Sequence, residues 1–191
     1  MASKLSALLL LALSLPGICA AGELEGIRMD EKVRVGAQEL QLNGMALRKR
    51  AFFKVYVAGL YLPQKTRSAE DALRVPGAKR MTLAMLRDVG ADTFAASLLD
   101  GLKENTSEAE LAQIKPQVEE LMATMRAVGE AKEGMVIHLE YMPDPGTRVL
   151  VGGAPQGRPI GGEGLFRALL RIWLGDKPVS ADMKAALLGG A

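Results

Sequence analysis

FKVYVAGLYLP, running from Phe53 to Pro63, constrains the fold more than any other stretch of the chain. Side chains alternate across a strand, so Phe52, Lys54, Tyr56, Ala58, Leu60 and Leu62 share one face. Phe53, Val55, Val57, Gly59 and Tyr61 share the other. Both faces are largely apolar, so Phe52 to Leu62 is predicted as a central strand covered on both sides and stopped by Pro63. Just before it stands NGMALRKRA, with Arg48, Lys49 and Arg50 together. A cation there can snorkel to water from a strand end. It can also point into a cavity and hold an anion by a two-pronged hydrogen bond.

The remaining segments fit an α+β domain with an antiparallel sheet. Short strands are predicted over 32–35 and 39–42, with turns at Gly36 and at Asn43-Gly44. Further strands are predicted over 80–87, 135–141 and 148–151. Ser68 is positioned to cap a short helix to Arg74. Helices follow over 92–103 and 108–128, and Ser107 with Glu110 forms a capping box for the second. Pro116 should break that helix near Lys115. Helices over 165–174 and 181–188 close the chain, the last capped by Ser180. The glycines of GGAPQGRPIGGEG lack the register of a phosphate loop and read as turns. Helices and strands do not alternate one by one, which excludes a doubly wound parallel sheet.

The N-terminus carries Lys4, an apolar run from Leu5 to Leu15, a Pro16-Gly17 break and the small residues Ala20 and Ala21. That order is a secretory signal peptide over residues 1–21, cut after Ala20 or Ala21, ahead of one domain over 22–191. The apolar run is too short to span a bilayer, so no stable membrane span is expected after cleavage. The expected location is periplasmic or secreted. The single cysteine, Cys19, leaves with the leader. The mature chain then has no thiol chemistry and one histidine, His138. No metal, cofactor or catalytic triad is expected from that inventory. In VIHLEYM, Val136, His138 and Glu140 share one face, and His138 reads as a solvated strand residue. The acidic pair Glu119 and Glu120 reads as a solvated helix face. A net charge of +2 and only one Trp, three Tyr and four Phe give no footprint for nucleic acid.

Three stretches together resemble one family. They are Gly44-Met45-Ala46-Leu47-Arg48 with KVYVAGLYLP, RDVGADTFAASLLDGL from Arg87, and IWLGDKPVSADMKAALLG from Ile172. They are similar to the chalcone isomerase-like proteins, and the resemblance covers nearly all of the mature chain. It implies an open-faced β-sandwich, an antiparallel sheet with a layer of helices. Relatives include plant isomerases, fatty-acid-binding plastid proteins, non-catalytic members and exported bacterial proteins, the branch this chain looks like.

The resemblance also implies site residues. The family's cavity arginine, which supports a phenolate in the isomerases and meets a carboxylate in the fatty-acid binders, matches Arg48. The isomerase threonine falls on Tyr56, and KVY is the fatty-acid-binder pattern. The isomerase tyrosine, asparagine and second threonine fall on Phe94, Gly101 and Ile172. Those three cannot donate side-chain hydrogen bonds to a developing enolate. The implied function is therefore binding of a fatty acid or other small apolar or amphipathic anionic ligand, with Arg48 as anchor. An isomerase or lyase of altered chemistry and a structural or interaction protein with a filled cavity are the alternatives. On one unbroken strand Arg48 and Tyr56 would lie roughly 26 Å apart, at about 3.3 Å per residue. They share a ligand only if a bulge or turn near residues 49–51 folds the chain. Otherwise Arg50 is the cavity residue.

Overall fold

The computed structural model describes residues 20–190. Lys4, the apolar run and Cys19 of the expected leader lie outside the described residues. The first described elements are a two-stranded hairpin of β1 (Ala20–Leu24) and β2 (Ile27–Asp30), which the sequence reading did not anticipate. Seven antiparallel strands follow in simple sequence order: β3 (Lys32–Val35), β4 (Gln38–Arg50), β5 (Phe53–Leu62), β6 (Lys79–Met85), β7 (Val136–Met142), β8 (Gly146–Val151) and β9 (Ala154–Ile160). The helices are insertions and a tail. α1 (Ala69–Arg74) lies between β5 and β6. α2 (Ala91–Asn105), α3 (Glu108–Gln113) and α4 (Lys115–Val128) lie between β6 and β7, and α5 (Glu163–Leu174) and α6 (Ala181–Leu187) follow β9.

β5 has neighbours on both sides, β4 and β6, as its two apolar faces require. On one face, Tyr56, Ala58, Leu60 and Leu62 join Met81, Leu83, Ile137 and Leu139 in the main core under the helices. α5 sits in the middle of that layer. Eight of its twelve residues are buried, from Leu165 to Leu174, so this helix is enclosed on nearly every side. The other face carries a smaller core in which Val57, Tyr61 and Ala84 pack with Met29 of the β1–β2 hairpin. Gly59 makes that contact possible, because a Cβ there would collide with Met29 Sδ. Tyr61 Oη donates to Asp30 O at 3.0 Å and closes the hairpin onto the sheet. Burial pushes the Tyr61 phenol up to about 12.

Several local expectations need correction. Asn43-Gly44 is not a turn: β4 runs straight through it with a bulge between Leu42 and Gly44. The Asn43 side chain is instead tied to backbone, donating to Thr66 O at 3.0 Å and Leu187 O at 2.7 Å and accepting from Thr66 N at 2.7 Å. It pins α6 to the sheet by satisfying groups that a loop would leave to water. The segment read only as turns holds β9, whose Pro155, Gly157 and Pro159 are tolerated because an edge strand needs ladder bonds on one side only. The expected helix break falls at Ile114, with Pro116 in the first turn of α4, where its missing N–H costs nothing. The capping box at Ser107 and Glu110 is present, and Ser68 and Ser180 cap α1 and α6.

His138 is half-buried rather than solvated. Its Nδ1 shares a 3.0 Å hydrogen bond with Thr82 Oγ1, and burial, then Arg80, holds the ring below its ordinary pKa. Glu120 is likewise not a free surface charge, since Arg158 of β9 donates to it at 2.6 Å.

Candidate functional site

The chain between Arg48 and Tyr56 is folded back on itself. Ala51 and Phe52 form a two-residue turn, and Ala51 takes a φ of 51° to make it. β4 and β5 are therefore hairpin partners, and Arg48 pairs directly with Tyr56 in the ladder. Directly opposite residues point to the same face, so both lie on the helix-covered side. Arg50 is exposed at the hairpin end, which removes it from the interior.

Arg48 is half-buried and donates from Nη1 to Val179 O at 2.6 Å. Val179 lies in the link between α5 and α6, and its own N–H donates to Ile172 O at 2.9 Å. The link thus folds back over the end of α5 and offers a carbonyl to the arginine. Tyr56, 8% exposed, accepts a 3.0 Å hydrogen bond at its hydroxyl from Trp173 Nε1. Burial raises the Tyr56 phenol, outweighing the opposing pull of Trp173 and Arg48. The phenol is therefore neutral and keeps a proton to donate.

Two of the other expected positions, Gly101 and Ile172, meet where α2 packs on α5. Ile172 is 2% exposed, and a Cβ on Gly101 would meet its Cγ2 at 2.9 Å. Gly101 lets α2 approach α5 this closely. Phe94 is buried in the same core two helical turns before Gly101, and so on the same face of α2. Sequence reasoning missed Trp173 and Val179. Trp173 is the only tryptophan and adjoins Ile172, but its partner Tyr56 is 117 residues away.

Electrostatically, this corner differs from the buried ion pairs of the protein. Among the described residues Arg48 has no carboxylate partner, and Val179 O is its one hydrogen-bond acceptor. Lys79, Arg80, Arg148 and Arg171, also buried or half-buried, each pair with a glutamate. A guanidinium and a neutral phenol side by side, on an apolar bed, can receive an anion with an apolar body. Two grooves open elsewhere on the helix layer. One, of about 480 Å³, runs between α2, α3 and α4 over Leu99, Leu111, Val118 and Met122, with Lys115 and Arg126 at its rim. The other, of about 900 Å³, is lined by charges of both signs, including Glu70, Glu110, Arg167 and Arg171. Among the described residues no cluster suited to a metal ion occurs.

A seven-stranded antiparallel sheet with a helix layer on one face, and an arginine–tyrosine pair beneath the α5–α6 link, defines an α+β protein of the open-faced type. The chain belongs to the chalcone isomerase-like family, whose model matches residues 21–189. No curated protein matches it. Among solved structures it is similar to a fatty-acid binding protein of Arabidopsis thaliana, with 15% identity and a TM-score of 0.67. That likeness covers 85% of this chain and 92% of the other, and at such identity it speaks for the fold.

Proposed function

We propose that this protein binds a fatty acid or a similar apolar anion on the helix-covered side of its sheet, with Arg48 taking the negative end. One observation carries the reading: Arg48 is half-buried beside Tyr56 with no carboxylate partner among the described residues. Leaving a guanidinium partly desolvated without a counter-charge is costly, and a ligand carboxylate removes that cost. The fatty-acid binding relative of the same fold supports the reading. Chalcone cyclisation is not part of it, because Phe94, Gly101 and Ile172 offer no side-chain donor for enolate charge.

A specific observation favours a second reading. Trp173 already occupies the Tyr56 hydroxyl, and Ile172 fills the space at Gly101. A protein with a permanently filled interior would serve as a structural or interaction module. For ligand to enter, the α5–α6 link carrying Val179 must shift away from Arg48. Native mass spectrometry of the purified protein separates the two readings. A bound acyl species, or uptake of added palmitate at one equivalent, supports binding. Ligand-free protein that takes up no palmitate overturns it.

The same proposal places the protein outside the cytoplasm. Lys4, the apolar run and Ala20-Ala21 support export, as does a family match that begins at residue 21. N-terminal sequencing of exported protein should start at Ala21 or Gly22. An intact Met1 in that fraction would contradict export.

A further inference from the structure

Among the described residues two large apolar side chains are exposed, and they are adjacent. Phe52 is 99% exposed and Phe53 57%. The chain has only four phenylalanines, and the other two, Phe94 and Phe166, are buried. Single exposed apolar residues are ordinary, whereas two aromatic rings together at a protruding point mark a contact surface. Here the point is the β4–β5 hairpin tip, where the last ladder pair is Arg50 with Phe53. The two-residue turn holds Phe52 outermost on a stiff support, so little order is lost when it meets a partner.

The surroundings specify the partner. Lys49, Arg50 and Lys54 are exposed around the rings, and the Arg87 guanidinium lies 4.3 Å from the Phe53 ring centre. Against these four cations the only paired carboxylate among the described residues is Glu25, which meets Lys54. Convex aromatic residues within a collar of lysine and arginine complement a layer of lipid phosphates over acyl chains. The rings enter the boundary between headgroups and chains, while the cations stay at phosphate level. Among the described residues no helix is long and apolar enough to cross a membrane, so the contact is peripheral.

We propose that the β4–β5 hairpin tip docks the protein on an anionic lipid bilayer through Phe52, Phe53 and the collar of Lys49, Arg50, Lys54 and Arg87. The docking stands on exposure and charge alone and does not depend on the binding proposed above. If both hold, Arg48 and Tyr56 lie just behind the tip on the same two strands, where an acyl anion leaving the bilayer would first meet them.

Vesicle flotation tests this with the purified mature protein and no free fatty acid. Phosphatidylcholine vesicles with phosphatidylglycerol should carry the protein upward at low ionic strength, and phosphatidylcholine alone should carry much less. High salt should weaken the association, because the charge component is screened. Phe52→Ser with Phe53→Ser should lower partitioning by about tenfold or more. Lys49→Glu with Arg50→Glu should do so to a similar degree, about tenfold. These side chains are exposed, so the urea midpoint of each variant should match the wild type and exclude misfolding. In Phe52→Trp the added indole should shift its emission to the blue on contact with anionic vesicles, while buried Trp173 stays constant. Three results would overturn the proposal: wild type that remains with the buffer, Phe variants that float undiminished, or self-association lost in those variants without vesicle binding. The last would assign the tip to a second copy of the chain.

Discussion

The two faces of the sheet handle polar groups in opposite ways. Under the helices the surface is largely apolar, and its polar groups lie in two places: Arg48 with Tyr56 and Trp173 at one, and Lys79 with Glu163 of α5, over the Tyr141 ring, at the other. On the other face, β6, β7 and β8 carry a ladder of charges that neutralise one another. Glu140, 1% exposed, is bracketed by Arg80 and Arg148 from the neighbouring strands, and Thr82 pairs with His138 one step along. The ladder face pairs these charges internally. On the helix face Arg48 meets a backbone carbonyl and no carboxylate among the described residues, and Lys184 of α6, which donates to Gly175 O at 2.8 Å, does the same. What marks the candidate site is the combination of a cation without a carboxylate partner and the buried Tyr56 phenol directly beside it on the sheet.

The largest expected effect comes from breaking the ladder. Glu140→Ala leaves two guanidinium groups facing each other over a vacated acceptor. Removing one member of a buried ion network costs about 3–5 kcal/mol. Arg148 is 28% exposed and can relax toward water, so the loss should fall near the lower end. Urea unfolding measures it, and palmitate binding should be unchanged in the same variant, because the ladder is on the opposite face.

A smaller effect should appear where α2 meets α5. Gly101→Ala drives a methyl against Ile172 Cγ2. Overpacking of this kind costs about 1–3 kcal/mol, partly offset by about 1 kcal/mol of helix propensity, leaving a net loss near 1 kcal/mol. Adding Ile172→Val should recover most of it, and the double-mutant cycle should show coupling. Additive effects would mean that the two helices adjust independently.

How far the sequence discloses all this depends on the range of the interactions. The two-sided apolar pattern placed β5 inside the sheet, and the Ser107–Glu110 box and Pro116 placed the start and the break of the α3–α4 segment. These are local signals. The adjacency of Arg48 and Tyr56 was only one of two options in the sequence, because the Ala51–Phe52 turn contains no glycine, asparagine or proline to announce it. β9 looked like turns because its prolines are acceptable only at an edge, and edge position is a property of the whole sheet. Asn43-Gly44 has the composition of a turn, yet the end of α6, far along the chain, captures its side chain and keeps the strand continuous. The Tyr56–Trp173 bond had no local signature at all. The family resemblance supplied Arg48, Tyr56, Phe94, Gly101 and Ile172 as candidates, and only the fold showed that Ile172 and Gly101 touch.

The smallest expected effect is pH-dependent and belongs to the ladder face. His138 is held below its ordinary value of 6.5 by burial and by Arg80, with Glu140 opposing. The unfolded chain therefore binds its proton more readily, so stability from this group is complete above 6.5 and falls as pH drops toward the folded value. His138→Asn should remove that part of the acid sensitivity while keeping a partner for Thr82. Identical acid profiles for variant and wild type would assign the sensitivity elsewhere.

The role of Arg48 on the helix face is tested most directly by titrating palmitate into wild type, Arg48→Ala, Arg48→Lys and Arg50→Ala. A charge-assisted hydrogen bond in a partly dry site contributes roughly 1.5–3 kcal/mol, so Arg48→Ala should lose about ten- to a hundredfold in affinity. Arg48→Lys should recover part of that, since an ammonium cannot form the two-pronged contact. Arg50→Ala should bind like the wild type, because Arg50 points to solvent. Equal affinities in all four proteins would contradict the account and leave Arg48 as no more than a strand-end cation holding Val179.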